Sequence, residues 1–430
     1  MTLPIIVSSL LFLIVLALIL TERVHRTTAA ILGAVVMMLL GIGLGFYSED
    51  QAIASIDFPT LELLLGMMLL VALLEPTGFI EFLAIWVAKR SRGQPVTLLV
   101  LLGAVTTVTS MFLDNVTTVV LVAPVTILIC EIVGLNPRPY LIAEAVLSNT
   151  GGAATLVGDP PNVLIGSAAG LTFTDFLVYS LPVVALCWFA TLWLFIRLSR
   201  AELAGEAEGG LALAELKPRE ALRDRRVAIK VLVTLALTVA FFFAEEWLHI
   251  RPSLVALSAM ALGLVWVQPD INETLKRIPW DILLFFAGLF IMVGGLEASG
   301  AMEMLAVQIE SLANMPLVLT GLALLWLVAV LSSIVDNVPI TIALIPVLLK
   351  MGADGIDVTP LWWALVLGAG LGGNGTIIGA TANVVVVSLS EKTRTPITPL
   401  LWSRRGLPVM LTTLVVASGL YALMWGGIFR

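Results

Sequence analysis

Along the chain, apolar positions come in long stretches rather than alternating with polar ones, as from Leu3 to Leu20 and from Val227 to Ala244. That length fits a membrane-spanning helix of about 20 residues, not the ~10-residue alternation of a barrel strand. Reading the stretches between charged or Pro/Gly breaks predicts spans near 4–20, 27–46, 60–77, 140–168 and 176–197, with a pair of shorter runs at 96–113 and 116–132. The second half gives 227–247, 252–268, 281–297, 361–389 and 406–428, with its own pair at 316–334 and 338–350. The predicted fold class is an all-α membrane protein. Its first unit is 1–197, its second 227–430, and 198–226 joins them as a cytoplasmic linker.

The halves are copies. Leu74-Glu75 and Gly78 return as Leu296-Glu297 and Gly300, Asp114-Asn115-Val116 as Asp336-Asn337-Val338, and Pro124 as Pro346, each 222 positions later. After a one-residue slip, Thr155, Gly158 and Asn162 reappear as Thr376, Gly379 and Asn383. Five spans per copy put the second copy in the membrane upside down. This predicts two inverted-topology repeats, each with a re-entrant helical hairpin, 96–132 or 316–350.

One span in each copy cannot be continuous. Gly151, Gly152 and Gly158 with Pro160-Pro161 interrupt 140–168, and Gly370, Gly372, Gly373, Gly375 and Gly379 interrupt 361–389. Proline lacks an N–H and clashes with the preceding turn, so the helix must break, leaving backbone polar groups free near the bilayer midplane. Such backbone persists only where protein buries it or a cavity is lined.

Charge tests the topology independently. The chain is 59% hydrophobic and 12% charged, with a mean hydropathy of +1.06, against about 25% charged in a soluble domain. With an N-terminus outside and both hairpins re-entrant, all but Arg251, Lys350 and Arg430 of the 23 lysines and arginines fall on the cytoplasmic side. This predicts a multi-pass protein of the cell's inner (plasma) membrane with both termini outside. Arg23 and Arg26 after the first run are the wrong order for a cleaved signal peptide, so that helix is read as retained. The linker, with six basic and six acidic residues, reads as a solvated tether. The segments 79–90 and 301–313 read as interfacial amphipathic helices.

Chemistry concentrates at a few polar points. Asp114 and Asp336 interrupt apolar runs, where a carboxylate must face water, an ion or a partner. Asn115, Thr117 and Asn337 stand beside them, and the competing reading for each aspartate is a helix cap. In the broken spans Asn149, Thr155, Asp159 and Asn162 face Asn374, Thr376 and Asn383 as matched or neighbouring polar groups. Asp159 is unmatched, since the second copy has Ala380. Low dielectric penalises the charged form of a carboxyl group, which suits proton exchange, so Asp114, Asp159, Asp336 and Glu144 are the proton-coupling candidates. Glu62, Glu75 and Glu297 lie near helix ends and read as solvated. Cys130 and Cys187 read as buried small hydrophobes, too few for a metal cage, and His25 and His249 fall in loops, so no metal site is expected. No G-x-x-x-x-G-K-[ST] motif exists and no basic run suits nucleic acid, which disfavours an ATP-driven pump or any enzyme and leaves ion-coupled secondary transport. No cofactor is expected; the coupling ion is H⁺, with Na⁺ as the alternative.

The runs FLDNVTTVVLVAPVTI, LIAEAVLSNTGGAATLVGDPPNVLIGS, SSIVDNVPITIALIPVL and GAGLGGNGTIIGATANVVV resemble the ion transporter superfamily, in the branch of ArsB-type arsenite/antimonite permeases and the P protein. The resemblance covers most of the chain outside the linker. It implies a scaffold domain and a transport domain, hairpins and broken helices around a small inorganic solute or ion, alternating access, a lipid environment and often a homodimer. The related dicarboxylate carriers have Ser-Asn-Thr at their hairpin tips, and this chain has Asp114-Asn115-Val116 and Asp336-Asn337-Val338. Carboxylates there suit protons, a cation or a neutral polyhydroxy solute better than a dicarboxylate. The resemblance thus implies proton-coupled arsenite or antimonite efflux, with Asn115, Asn337, Asn162, Asn383, Thr155 and Thr376 positioning the solute. A Na⁺/H⁺ antiporter is the alternative, and a dicarboxylate or citrate carrier the next.

Overall fold

A computed structural model describes residues 2–20, 24–204, 215–302 and 316–426. It is helical, and eight of its described helices are long and apolar enough to cross a membrane. In the first repeat the main helices are α1 (Leu3–Leu20), α2 (Arg26–Leu44), α3 (Phe58–Leu74), α4 (Phe79–Ser91), α5 (Pro95–Ser110), α6 (Asn115–Val133), α7 (Arg138–Gly152), α8 (Pro160–Ala169) and α9 (Leu181–Leu198). The second contains α10 (Arg225–Phe243), α11 (Pro252–Val267), α12 (Trp280–Ala298), α13 (Leu317–Ile334), α14 (Asn337–Ala353), α15 (Thr359–Gly372), α16 (Thr381–Ser390) and α17 (Pro399–Trp425). Side chains such as Leu39, Phe189 and Val265 point outward, as an apolar solvent permits.

The repeats hold each other by exchanged packing. The second helix of each repeat lies on the third helix of the other, α2 on α12 and α11 on α3. The approach is set by glycine. A Cβ on Gly66 would come within 2.7 Å of the Ala256 backbone, and one on Gly288 within 2.9 Å of the Ala30 backbone. These glycines are a repeat apart in sequence, so the same contact is made twice with the partners exchanged. The broken helices cross over likewise, α8 packing on α14 and α16 on α6. Within each repeat, the first hairpin helix packs on the first half of the broken span, α5 on α7 and α13 on α15.

The linker differs from a solvated tether. Glu202 forms an ion pair with Arg405, which is buried beneath the Phe195 ring at 5.8 Å, and Leu203 is buried. At the other end Arg223 N donates to Thr77 O at 2.9 Å and Lys89 Nζ to Leu216 O at 3.1 Å. Apolar positions and backbone partners on the two repeats dock both described ends; residues 205–214 lie outside the described set. The expected segment 79–90 is helix α4, whereas most of 301–313 lies outside the described residues. Glu75 is not simply solvated, since it stands 3.5 Å from Arg277.

Candidate functional site

Each hairpin turns at its aspartate. Asp114 Oδ1 accepts from Thr117 N at 3.0 Å and Oδ2 from Thr117 Oγ1 at 2.5 Å, and Asp336 Oδ1 accepts from Val338 N at 3.2 Å. Both therefore cap the helix that follows, and both also line a shared cavity.

The breaks are built alike. Thr155 Oγ1 donates to Met111 O at 2.5 Å, and Thr376 Oγ1 donates to Ser333 O, tying each break to a hairpin. Asn162 Nδ2 donates to Gly152 O and Thr155 O at 3.0 and 2.8 Å, and Asn383 Nδ2 to Gly373 O and Thr376 O at 2.8 and 2.9 Å. Carbonyls freed where α7 and α15 end thus find amide donors from the next helix, as buried backbone requires. Gly158 and Gly379 lie so close to Gly152 O and Gly373 O, respectively, that a Cβ would intrude to 2.7 Å.

Between tips and breaks lies a cavity of about 50 Å³. Of the sequence candidates, Asp114, Asn115, Asn149, Asp159, Asp336 and Asn337 line it, walled by Ile282, Phe285 and Phe286. Thr117, Thr155, Asn162, Asn374, Thr376 and Asn383 are outside its lining; Thr155, Asn162, Thr376 and Asn383 donate to backbone carbonyls, and Asn374 Nδ2 donates to Thr150 Oγ1 at 3.3 Å. Asn149 Nδ2 donates to Asn374 Oδ1 and Asn383 Oδ1 at 3.0 Å each, joining the breaks of the two repeats. Its own Oδ1 is buried with no hydrogen-bond partner among the described residues.

Asp159 occupies the cap position of α8 without capping it. Instead it accepts from Asn337 Nδ2 at 3.0 Å, from the tip of the other repeat, and the Asn115 amide of the first tip reaches it too. The unmatched carboxylate is thereby held where both tips meet. Glu144 lies apart from the cavity, buried on α7, accepting from Thr126 Oγ1 at 2.5 Å.

Arg26 is the site residue that sequence reasoning assigned only to loop charge. Its Nη1 stands 3.3 Å from Asp336 Oδ2 and donates to Thr381 Oγ1 at 3.0 Å, while Thr381 donates to the same carboxylate at 2.8 Å. The guanidinium also lies 5.6 Å from the Phe285 ring centre. The sequence carried no signal that set it apart, since it falls just before the predicted span 27–46; only the structure makes it the first residue of α2.

A family model described as "Citrate transporter" matches residues 16–368. The 46 kDa membrane protein of Mycobacterium leprae is 40% identical over 422 residues, covering 97% of each chain. The uncharacterized transporter Rv2685 of Mycobacterium tuberculosis is 41% identical over 409 residues, 94% of each. The human P protein is 33% identical over 487 residues, covering 94% of this chain and 58% of its own length. The YdaH transporter of Alcanivorax borkumensis superposes with a TM-score of 0.65 at 17% identity, over 94% of this chain and 99% of that one, and so shares the fold. The chain is thus a membrane transporter and belongs to the citrate transporter family of the ion transporter superfamily.

Proposed function

We propose that the protein is a proton-coupled secondary transporter that exports arsenite or antimonite. One observation carries this reading: among the described residues, the small central cavity gathers three carboxylates, Asp114, Asp159 and Asp336, against the single guanidinium of Arg26. A free tricarboxylate or dicarboxylate would meet like charge on three sides, because Arg26 is already paired with Asp336. An uncharged trihydroxide instead offers hydroxyl donors to Asp159 and to the Asn149 carbonyl. Protonation of Asp159 and release of its proton would couple the solute to the gradient, and no thiol lines the cavity to hold a metalloid tightly. The lysine and arginine distribution supports a cytoplasmic Arg26 side, and our reading puts the protein in the inner membrane.

Transport into everted vesicles tests it. Arsenite uptake driven by an inside-acid gradient, and lost in Asp159→Asn, is the expected result. A second reading, Na⁺/H⁺ exchange, draws support from the same carboxylates and the Asn149 carbonyl, since hard oxygen donors suit a cation. Collapse of the proton gradient by Na⁺ alone, with arsenite inert, would replace the first reading by the second.

A further inference from the structure

Two larger cavities flank the site, and the repeat relates them. One, of about 500 Å³, is lined by Arg26, Ile282, Val335, Asp336, Thr381 and Val384. The other, of about 390 Å³, is lined by Thr60, Leu63, Leu156, Val163, Arg251 and Ser253, among others. Thr60 holds the place in the first copy that Ile282 holds in the second, and Val163 that of Val384. Arg26 begins α2 and Arg251 immediately precedes α11, the two helices that pack in exchanged fashion on α12 and α3.

The symmetry fails at the centre. Arg26, Val116, Ile282, Asp336 and Thr381 line both the larger mouth and the central cavity. Among the described residues, the Arg251 mouth shares no lining residue with the central cavity. The site is therefore continuous with one mouth and closed from the other. Ion pairing divides the same way: Arg26 pairs with Asp336, whereas Asp114 is bonded to Thr117. Topologically equivalent halves can exchange conformations, and that exchange opens the opposite face.

We propose that Arg26 and Arg251 are alternating counter-ions. Arg26 holds Asp336 while the pathway is open on its face; when the pathway opens on the other, that pair separates and Arg251 takes Asp114. Cargo arriving from either side then meets a neutralised tip and, beyond it, Asp159, which has amide partners but no ion pair among the described residues. The proposal rests on the transporter reading but not on the cargo.

The test uses full-length protein in membranes, with Cys130 and Cys187 replaced by alanine and a short bifunctional thiol reagent. Cross-linking is expected for Arg26→Cys with Asp336→Cys and for Arg251→Cys with Asp114→Cys. Reaction of the first pair without the second overturns the proposal. In parallel, Arg251→Gln is expected to slow transport about tenfold, equivalent to ~1.4 kcal/mol on the barrier, with Arg251→Lys restoring most of it. An unchanged rate in Arg251→Gln overturns the proposal even if both pairs react. Wild-type vesicles that move none of arsenite, Na⁺ or citrate would instead count against the transporter reading, and the cross-links would still report the two geometries.

Discussion

Asp159 and Ala380 are the point at which the duplicated residues stop being duplicates. The two tip amides, Asn115 and Asn337, converge on the carboxylate, so Asp159→Asn is expected to leave folding intact and abolish proton-driven transport. Size-exclusion behaviour and vesicle flux, measured together, separate those effects. Asn162 and Asn383 make a different prediction. Each donates to two buried carbonyls, so alanine at either is expected to lower stability in detergent by about 1–3 kcal/mol per stranded group. Asn383 also accepts from Asn149, and Asn383→Ala should therefore shift the thermal midpoint further than Asn162→Ala. Equal shifts would count against a structural link between the breaks.

The elements repeat contacts as well as sequence, and the crossing of α2 on α12 and α3 on α11 depends on two glycines. The Gly66 approach is the tighter one. Gly66→Ala and Gly288→Ala should each cost about 1–3 kcal/mol through displacement of backbone, with Gly66→Ala the worse; thermal unfolding of the two purified variants gives the order. The broken helices were legible because Pro160-Pro161 and the glycine clusters cannot sit in helix interiors. The docking of the linker was not, because Glu202 and Arg405 are 203 positions apart and their charges alone read as solvated. Arg26 was hidden for a related reason. At the end of an apolar run, an arginine looks like a topology signal until the other repeat brings Asp336 and Thr381 to it.

At the scale of the molecule, the proposed alternation between the two mouths requires a moving body. If hairpins and broken helices shift against the remaining spans, a bridge across α3 and α8 should hold the closed mouth shut. Leu63 and Val163 line that mouth from those two helices, so cross-linking Leu63→Cys to Val163→Cys is expected to stop transport, with recovery on reduction. Unaltered flux in the fully cross-linked protein would exclude such movement. The same geometry explains why function could be approached from composition but not completed by it: the charge of the central cavity is a sum over four segments that lie far apart along the chain.

By itself, the sequence determined the membrane class, the duplication, the two hairpins and the two breaks. Each is a local consequence of hydrophobic run length, of proline and glycine inside a helix, or of carboxylates inside apolar segments. Only the tertiary structure decided that both tips reach one aspartate, that Arg26 neutralises Asp336, and that one mouth is joined to the site while its counterpart is closed. Those facts depend on how the repeats cross. The crossing is set by contacts between residues more than 170 positions apart, which no local pattern encodes.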